Sequence, residues 1–207
     1  MARYRASDAG IISLPRPCGR PESPGVRAPT HADLAAMPLV NCIVLESMRL
    51  YPPVPVVMRV AARDVVLQPA RTSVGLQGEQ AGQPTARGDD WTGRALHVRA
   101  GTLVTIPIAT LHRDESYWGP DPDAFNPLRF ERGIAGAALH PMAYIPFSHG
   151  PRNCVGAQFA LLEARVILAV LLQHLDWRLS SAYVHKPTMI LTLRPTSGLQ
   201  LLVRRAV

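Results

Sequence analysis

The stretch Pro146-Phe147-Ser148-His149-Gly150-Pro151-Arg152-Asn153-Cys154-Val155-Gly156 constrains this chain more than any other. A loop punctuated by glycine and proline delivers one cysteine and runs straight into an apolar segment, Ala157 to Leu172. That order predicts a thiol held at or just before a helix N-terminus. There, unpaired backbone N–H groups and the positive end of the helix dipole favour thiolate over thiol. A lone thiolate in apolar surroundings is costly, so the residue is expected to be a nucleophile or a metal ligand. The competing reading is a buried structural cysteine in a Gly/Pro loop.

The spacing chooses between these. Phe147-x-x-Gly150-x-Arg152-x-Cys154-x-Gly156 fixes five positions within ten residues. In this the chain resembles the cytochrome P-450 superfamily, the haem-thiolate monooxygenases. The resemblance implies haem b as cofactor and Cys154 as the axial ligand to its iron. The neighbours each have a physical reason. Gly150 and Gly156 would let backbone approach a flat macrocycle that a Cβ would strike. Phe147 would shield the sulfur from water, and Arg152 offers a guanidinium to a haem propionate.

Composition narrows the remaining classes. At 207 residues the chain is long enough to bury a core, and 47% hydrophobic content reads as globular. No uninterrupted apolar run approaches the roughly 20 residues that span a bilayer. The richest run, Val166 to Leu172, lies between Glu163, Arg165, Gln173 and His174 and is expected to be a core helix. The net charge of +7 comes from 22 basic residues, of which only Lys186 is lysine. They are scattered and not interleaved with aromatics, which argues against nucleic acid. Cys18, Cys42 and Cys154 form neither a disulfide framework nor a zinc spacing. His112, His140, His149 and His174 are not at metal spacing either, and His149 is expected to be a polar loop residue.

Along the chain, residues 1–30 are proline- and arginine-rich and are expected to be a disordered tail. Asp33 is a plausible N-cap, and a helix is predicted from Pro38 to Leu50. Leu39, Ile43, Glu46 and Leu50 fall on one stripe of it. That places a carboxylate on an apolar face with Arg49 close by, followed by the hard stop Leu50-Tyr51-Pro52-Pro53. This resembles the family's Glu-x-x-Arg helix. The run from His112-Arg113-Asp114 through Trp118-Gly119 to Phe125-Asn126-Pro127-Leu128-Arg129-Phe130 resembles a second family block, which would bring Arg129 to Glu46 and Arg49 as a buried clamp. One carboxylate accepting from two guanidiniums can be fully hydrogen-bonded, which an isolated buried charge cannot.

Strands are predicted at Val54–Arg59 and Asp64–Leu67. By the resemblance, Pro55, Val56, Val57 and Met58 line the substrate pocket, and Arg59 is a second propionate partner. Residues 68–95 form a polar, aperiodic insertion, expected to be a flexible loop. Leu96–Arg99 and Thr102–Ile106 are predicted to form a hairpin around Ala100-Gly101. The helix after the ligand is predicted over Val155–Leu175. A terminal hairpin is expected from Met189–Arg194 and Leu199–Val203, its tip at Thr196 and Ser197 reaching the substrate site.

The expected fold is mainly α with small β-sheets: the C-terminal portion of a cytochrome P-450 fold (residues 31–207), with the distal helices missing. The nearest approach to a distal proton-relay pattern, Ala9-Gly10-Ile11-Ile12-Ser13, lacks the acid. The implied function is insertion of one oxygen atom of O2 into an apolar small molecule. Electrons would come through an NADPH-dependent flavoprotein reductase or a ferredoxin, and a full-length eukaryotic form would sit at the endoplasmic reticulum membrane. The alternatives are a truncated, catalytically incompetent haem-binding fragment, and a haem-thiolate isomerase or dehydratase that needs no external electrons.

Overall fold

The computed structural model describes residues 28–68 and 95–206. Nearly all of the N-terminal tail and of the insertion, together with Cys18, therefore lie outside the described residues. The chain divides into two compact units: Met1–Val57 with Pro107–Val207, and Met58–Ile106.

The first unit begins with a short helix, α1 (His31–Ala35). Its N-cap is Thr30, not Asp33: the Thr30 hydroxyl accepts from the Asp33 amide, and the Asp33 carboxylate accepts from the Thr30 amide at 2.7 Å. Asp33 thus stands at the third helical position of a capping box, where a carboxylate satisfies the cap's own N–H. The second helix, α2, spans Pro38–Leu50 as its sequence predicts. Proline starts it because its missing N–H is an orphan there anyway, and Pro52 and Pro53 stop it because neither can donate to the turn before. The buried face is wider than the predicted stripe. Val40, Cys42, Val44, Leu45, Glu46, Arg49 and Leu50 are buried, whereas Leu39 and Ile43 are only half-buried. Elements pack on α2 from more than one side, so no single stripe describes it.

The second unit carries strands. β1 (Val57–Val60) enters it and pairs with β4 (Leu103–Ile106), while β2 (Val65–Leu67) pairs antiparallel with β3 (Leu96–Val98), Val65 opposite Val98. The predicted hairpin of Leu96–Arg99 with Thr102–Ile106 is therefore corrected. The turn exists, with Gly101 at φ +82°, but its two arms feed different sheets. Ala61 decides this: its carbonyl accepts from the Gly101 amide at 2.8 Å and its amide donates to the Thr102 carbonyl at 2.9 Å. The Asp64 carboxylate adds a bond from the Ala100 amide at 2.8 Å.

Back in the first unit come α3 (Ile108–Leu111), α4 (Glu115–Trp118), a 3-10 turn at Pro127–Phe130 and α5 (Ile134–Ala137). Their apolar residues close a core of Cys42, Leu45, Trp118, Phe130, Ala143 and Tyr144. Its aromatic rings meet at angles, Phe130 and Tyr144 at 5.1 Å between centroids and Trp118 and Tyr144 edge-on at 6.2 Å, as ring quadrupoles prefer.

The helix after the cysteine, α6, spans Ala157–His174. One stripe of it packs through Ala169, fully buried, with Leu168 and Leu172 against Met37, Val40 and Leu34. The expectation of a wholly core helix needs correction: Phe159 is 70% exposed and Ile167 50%, because α1 and α2 cover only that stripe. It also ends one residue earlier than predicted. Leu175 turns extended (φ −131°, ψ 137°) and opens β5 (Leu175–Leu179).

The C-terminal strands are β6 (Pro187–Met189), β7 (Leu193–Pro195) and β8 (Leu201–Arg205). β6 pairs with β7, and β8 pairs with β5, Leu175 opposite Arg205. The expected pairing of Met189–Arg194 with Leu199–Val203 does not occur. β7 pairs back on β6 over three residues, and β8 finds a longer, five-residue ladder along β5. Thr196 and Ser197 accordingly follow β7 rather than forming the tip of its hairpin.

Candidate functional site

Glu46 is the centre of the buried charge. Both it and Arg49 are 0% exposed. Three residues apart on α2, they face the same way, and the pair is bidentate: Arg49 Nε donates to Oε2 at 2.7 Å and Nη2 to Oε1 at 2.8 Å. The other guanidinium N–H groups are also used. Nη1 donates to the carbonyls of His112 (2.8 Å) and Pro122 (2.6 Å), and Nη2 to that of Ala124 (3.0 Å). All five donors of Arg49 are satisfied, and its Cζ lies 5.1 Å from the Trp118 ring centroid. Glu46 Oε1 accepts in addition from the Asn126 amide at 2.8 Å.

Arg129 stands beside this pair, its Nε 3.7 Å from Glu46 Oε1 and outside hydrogen-bond range. Its Nη1 instead donates to the Trp118 carbonyl at 2.9 Å, and its Nη2 to the Asp121 carbonyl and carboxylate, each at 2.5 Å. The hydrogen bond from Arg129 holds the Asp121 carboxyl below its ordinary range. Glu46, Arg49 and Arg129 thus come together, but as one bidentate pair and a neighbouring cation. Together they bind the backbone of residues 118–126.

His112 opens the run that resembles the second family block, but the sequence assigns it no role; the structure gives it a central place. It is fully buried, stacked on Tyr144 at 5.4 Å between ring centroids and edge-on to Trp118 at 6.3 Å. Its Nε2 lies 3.0 Å from the Ile145 amide, which can only donate. Nε2 therefore accepts, and the ring proton sits on Nδ1, which donates to the Arg49 carbonyl at 3.0 Å. Burial, helped by the Arg49 charge, lowers its pKa to about 4, consistent with a neutral ring. The need for such a donor was written in the sequence. In a helix the Arg49 carbonyl would accept from residue 53, but that residue is proline. Arg113 meets the next orphan, donating through Nη2 to the Leu50 carbonyl at 2.9 Å.

The cysteine loop begins where His112 ends. Tyr144 Oη donates to the Leu45 carbonyl at 3.0 Å, and burial pushes its phenol pKa up. The Ser148 amide then donates to the Ile145 carbonyl at 2.9 Å, and the Cys154 amide to the Phe147 carbonyl at 3.0 Å. Ser148 (φ +62°) and Gly150 (φ +102°) turn the chain between them. Cys154 is a free, exposed thiol just ahead of α6, and Arg152 is exposed beside it. Phe147 is half-buried and reaches the cysteine through its backbone.

The donor set suits a haem. A thiol is a soft ligand for iron, and it is presented rather than buried. Exposed apolar side chains, Val155 and Phe159, follow it directly. A Cβ built on Gly150 would meet nothing within 4 Å, so that glycine leaves open space as well as supplying a left-handed φ.

The other residues singled out in the sequence are less converged. Pro55 accepts from the Ala109 amide at 3.0 Å, and the Leu193 amide donates to the Pro53 carbonyl at 2.8 Å, so β7 is tied next to the segment holding Pro55, Val56 and Val57. Thr196 donates its amide (2.9 Å) and its hydroxyl (2.6 Å) to the Lys186 carbonyl. Ser197 is exposed. Met58 and Arg59 belong to the second unit, where Arg59 Nη1 donates to the Met58 carbonyl at 2.9 Å.

Comparison with known proteins gives a consistent result. A family model described as Cytochrome P450 matches residues 22–72 and 88–203. The chain is 39% identical over 176 residues to Cytochrome P450 734A4 of Oryza sativa subsp. japonica, covering 85% of this chain and 29% of that protein. It is 36% identical over 181 residues to 11-oxo-beta-amyrin 30-oxidase of Glycyrrhiza uralensis, covering 87% and 30%. With Cytochrome P450 709B3 of Arabidopsis thaliana it shares 35% identity over 177 residues, covering 86% and 29%. The chain thus spans under a third of the length of the curated relatives it matches.

Proposed function

The chain belongs to the cytochrome P450 family, and on that premise we propose that Cys154 is the axial thiolate of a haem in a monooxygenase acting on an apolar small molecule. The observation that carries the reading is the presentation of Cys154. A free thiol stands exposed at a helix start, with its amide bonded to the Phe147 carbonyl and a left-handed glycine opening space beside it. Nothing in a structural cysteine requires that arrangement.

Haem b, when bound, supplies the dioxygen activation, and thiolate ligation supplies the electron density that favours O–O cleavage. The rest is done by this chain. The loop holds the sulfur through backbone bonds at Phe147 and Ser148, and Gly150 and Gly156 leave room for the macrocycle. Arg152 is placed two residues before the ligand, where an exposed guanidinium could meet a propionate; Arg59 is proposed as a second partner on sequence resemblance alone. The Glu46, Arg49 and Arg129 cluster keeps the backbone of residues 118–126 against α2 and so steadies the core on which the loop rests. Pro55 to Met58, with Thr196 and Ser197, are proposed to meet the substrate. Electrons are proposed to arrive from an NADPH-dependent flavoprotein reductase or a ferredoxin, and the whole protein to work at the endoplasmic reticulum membrane. These last points also rest on the resemblance.

The test is the spectrum of the reduced, carbon-monoxide-treated full-length protein. Thiolate-ligated haem gives a characteristically red-shifted band, which is expected in the wild type and lost in Cys154→Ser. A wild type without the band, or a band that persists in Cys154→Ser, refutes the assignment.

A further inference from the structure

We propose that His112 is a positioning residue for Cys154: a neutral imidazole strut that seats the cysteine loop on the C-terminal end of α2. The inference deepens the reading of Cys154 as ligand and rests on it in its spectroscopic part only.

The argument is a continuous line of bonds. Pro53 leaves the Arg49 carbonyl without its helical donor, and His112 Nδ1 supplies one at 3.0 Å. The opposite ring nitrogen accepts from the Ile145 amide at 3.0 Å. Ile145 in turn accepts from the Ser148 amide at 2.9 Å, which begins the turn that carries Phe147, and Phe147 accepts from the Cys154 amide at 3.0 Å. A single rigid ring therefore spans helix and loop, held by stacking on Tyr144 at 5.4 Å. Tyr144 makes its own bond to the Leu45 carbonyl at 3.0 Å, one turn earlier on the same helix. Residues 144 and 145 are thus pinned at two successive turns of α2. Without the imidazole, the loop keeps the Tyr144 pin and can pivot about it.

The two ring nitrogens can be tested separately in the full-length protein. His112→Asn keeps a donor near the Nδ1 position and abandons Ile145. His112→Gln reaches the Nε2 position and keeps an acceptor for the Ile145 amide. His112→Phe keeps the ring and loses both bonds. Amide hydrogen exchange is the first readout, with the Leu193 amide, bonded to Pro53, as a reference for general destabilisation. Exchange at Ile145 and at Cys154 is expected to rise about tenfold relative to Leu193 in His112→Asn and His112→Phe, and to change little in His112→Gln.

The second readout is the reduced carbon-monoxide spectrum of the holoprotein. The thiolate-type fraction is expected to fall about threefold or more in His112→Asn and His112→Phe and to be largely retained in His112→Gln. Faster exchange at Ile145 with Cys154 unchanged overturns the proposal, because the strut would then end at Ile145. Equal losses in His112→Asn and His112→Gln also overturn it, since they would mark a packing residue. If the wild type itself shows no thiolate band, the ligand assignment fails first; if the wild type shows it and all three variants match it, only the strut fails.

Discussion

Replacing Glu46 by alanine tests the energetics of the buried cluster most directly. Both partners of the Glu46–Arg49 pair are 0% exposed, so the loss would leave a desolvated guanidinium facing a void. Removing one member of a buried pair costs about 3–5 kcal/mol. The Asn126 amide loses its acceptor at the same time, which adds about 1–3 kcal/mol. The sum, about 4–8 kcal/mol, is comparable to the whole net stability of a domain, about 5–15 kcal/mol. With a urea slope of about 2 kcal/mol per molar, the unfolding midpoint of Glu46→Ala should fall by about 2 M or more, if the protein folds at all. Circular dichroism of the full-length protein, scored against wild type, reads this. Asp123→Ala is the internal control, because the Arg113–Asp123 pair is 33% and 77% exposed and such pairs are worth about 0–1 kcal/mol. If Glu46→Ala shifts the midpoint no more than Asp123→Ala does, the cluster is not a desolvated network and the reasoning fails. Arg49→Met should be at least as damaging, since it also strips donors from the carbonyls of His112, Pro122 and Ala124.

His112 makes stability pH-dependent in a defined window. Its folded pKa is lowered from 6.5 to about 4, so between these values the unfolded chain binds the extra proton. Stability is therefore full above about pH 6.5 and is lost as pH falls toward 4, by on the order of 3 kcal/mol. Urea midpoints measured across that range should flatten in His112→Gln; an unchanged slope would contradict a neutral buried ring. In the haem-free protein Gly150→Ala should cost about 1–2 kcal/mol through its left-handed φ of +102° alone, because the added methyl meets no atom within 4 Å of the chain. A thermal midpoint equal to wild type would show that the loop can relax its turn.

Much of the site was legible because its signals are local. The spacing from Phe147 to Gly156 records where a backbone must bend and where a thiol must stand. Proline at 38, 52 and 53 bounds α2 from within, because a missing N–H acts on the adjacent turn whatever the rest of the chain does. Glu46 and Arg49 lie three apart, and helix geometry alone puts them together. The orphaned carbonyls after Arg49 were local signals too, but they specify only that a donor must come, not which one.

Everything that required choosing a distant partner was decided by the tertiary structure. His112 is 63 residues from Arg49 and 33 from Ile145, and nothing in its neighbours says that it joins them. β3 and β4 read as a hairpin until Ala61 draws their arms into separate sheets, and β8 leaves its expected neighbour for β5, a strand concealed at the end of a helix. Arg129 reaches Glu46 as an ion pair at 3.7 Å, but the tertiary structure decides that its terminal donors go to Trp118 and Asp121 rather than to that carboxylate. Hydrophobic period and turn residues say what an element is, because both depend on the next few residues. Pairing depends on which surfaces compete for the same bond, and that competition exists only once the chain has closed on itself.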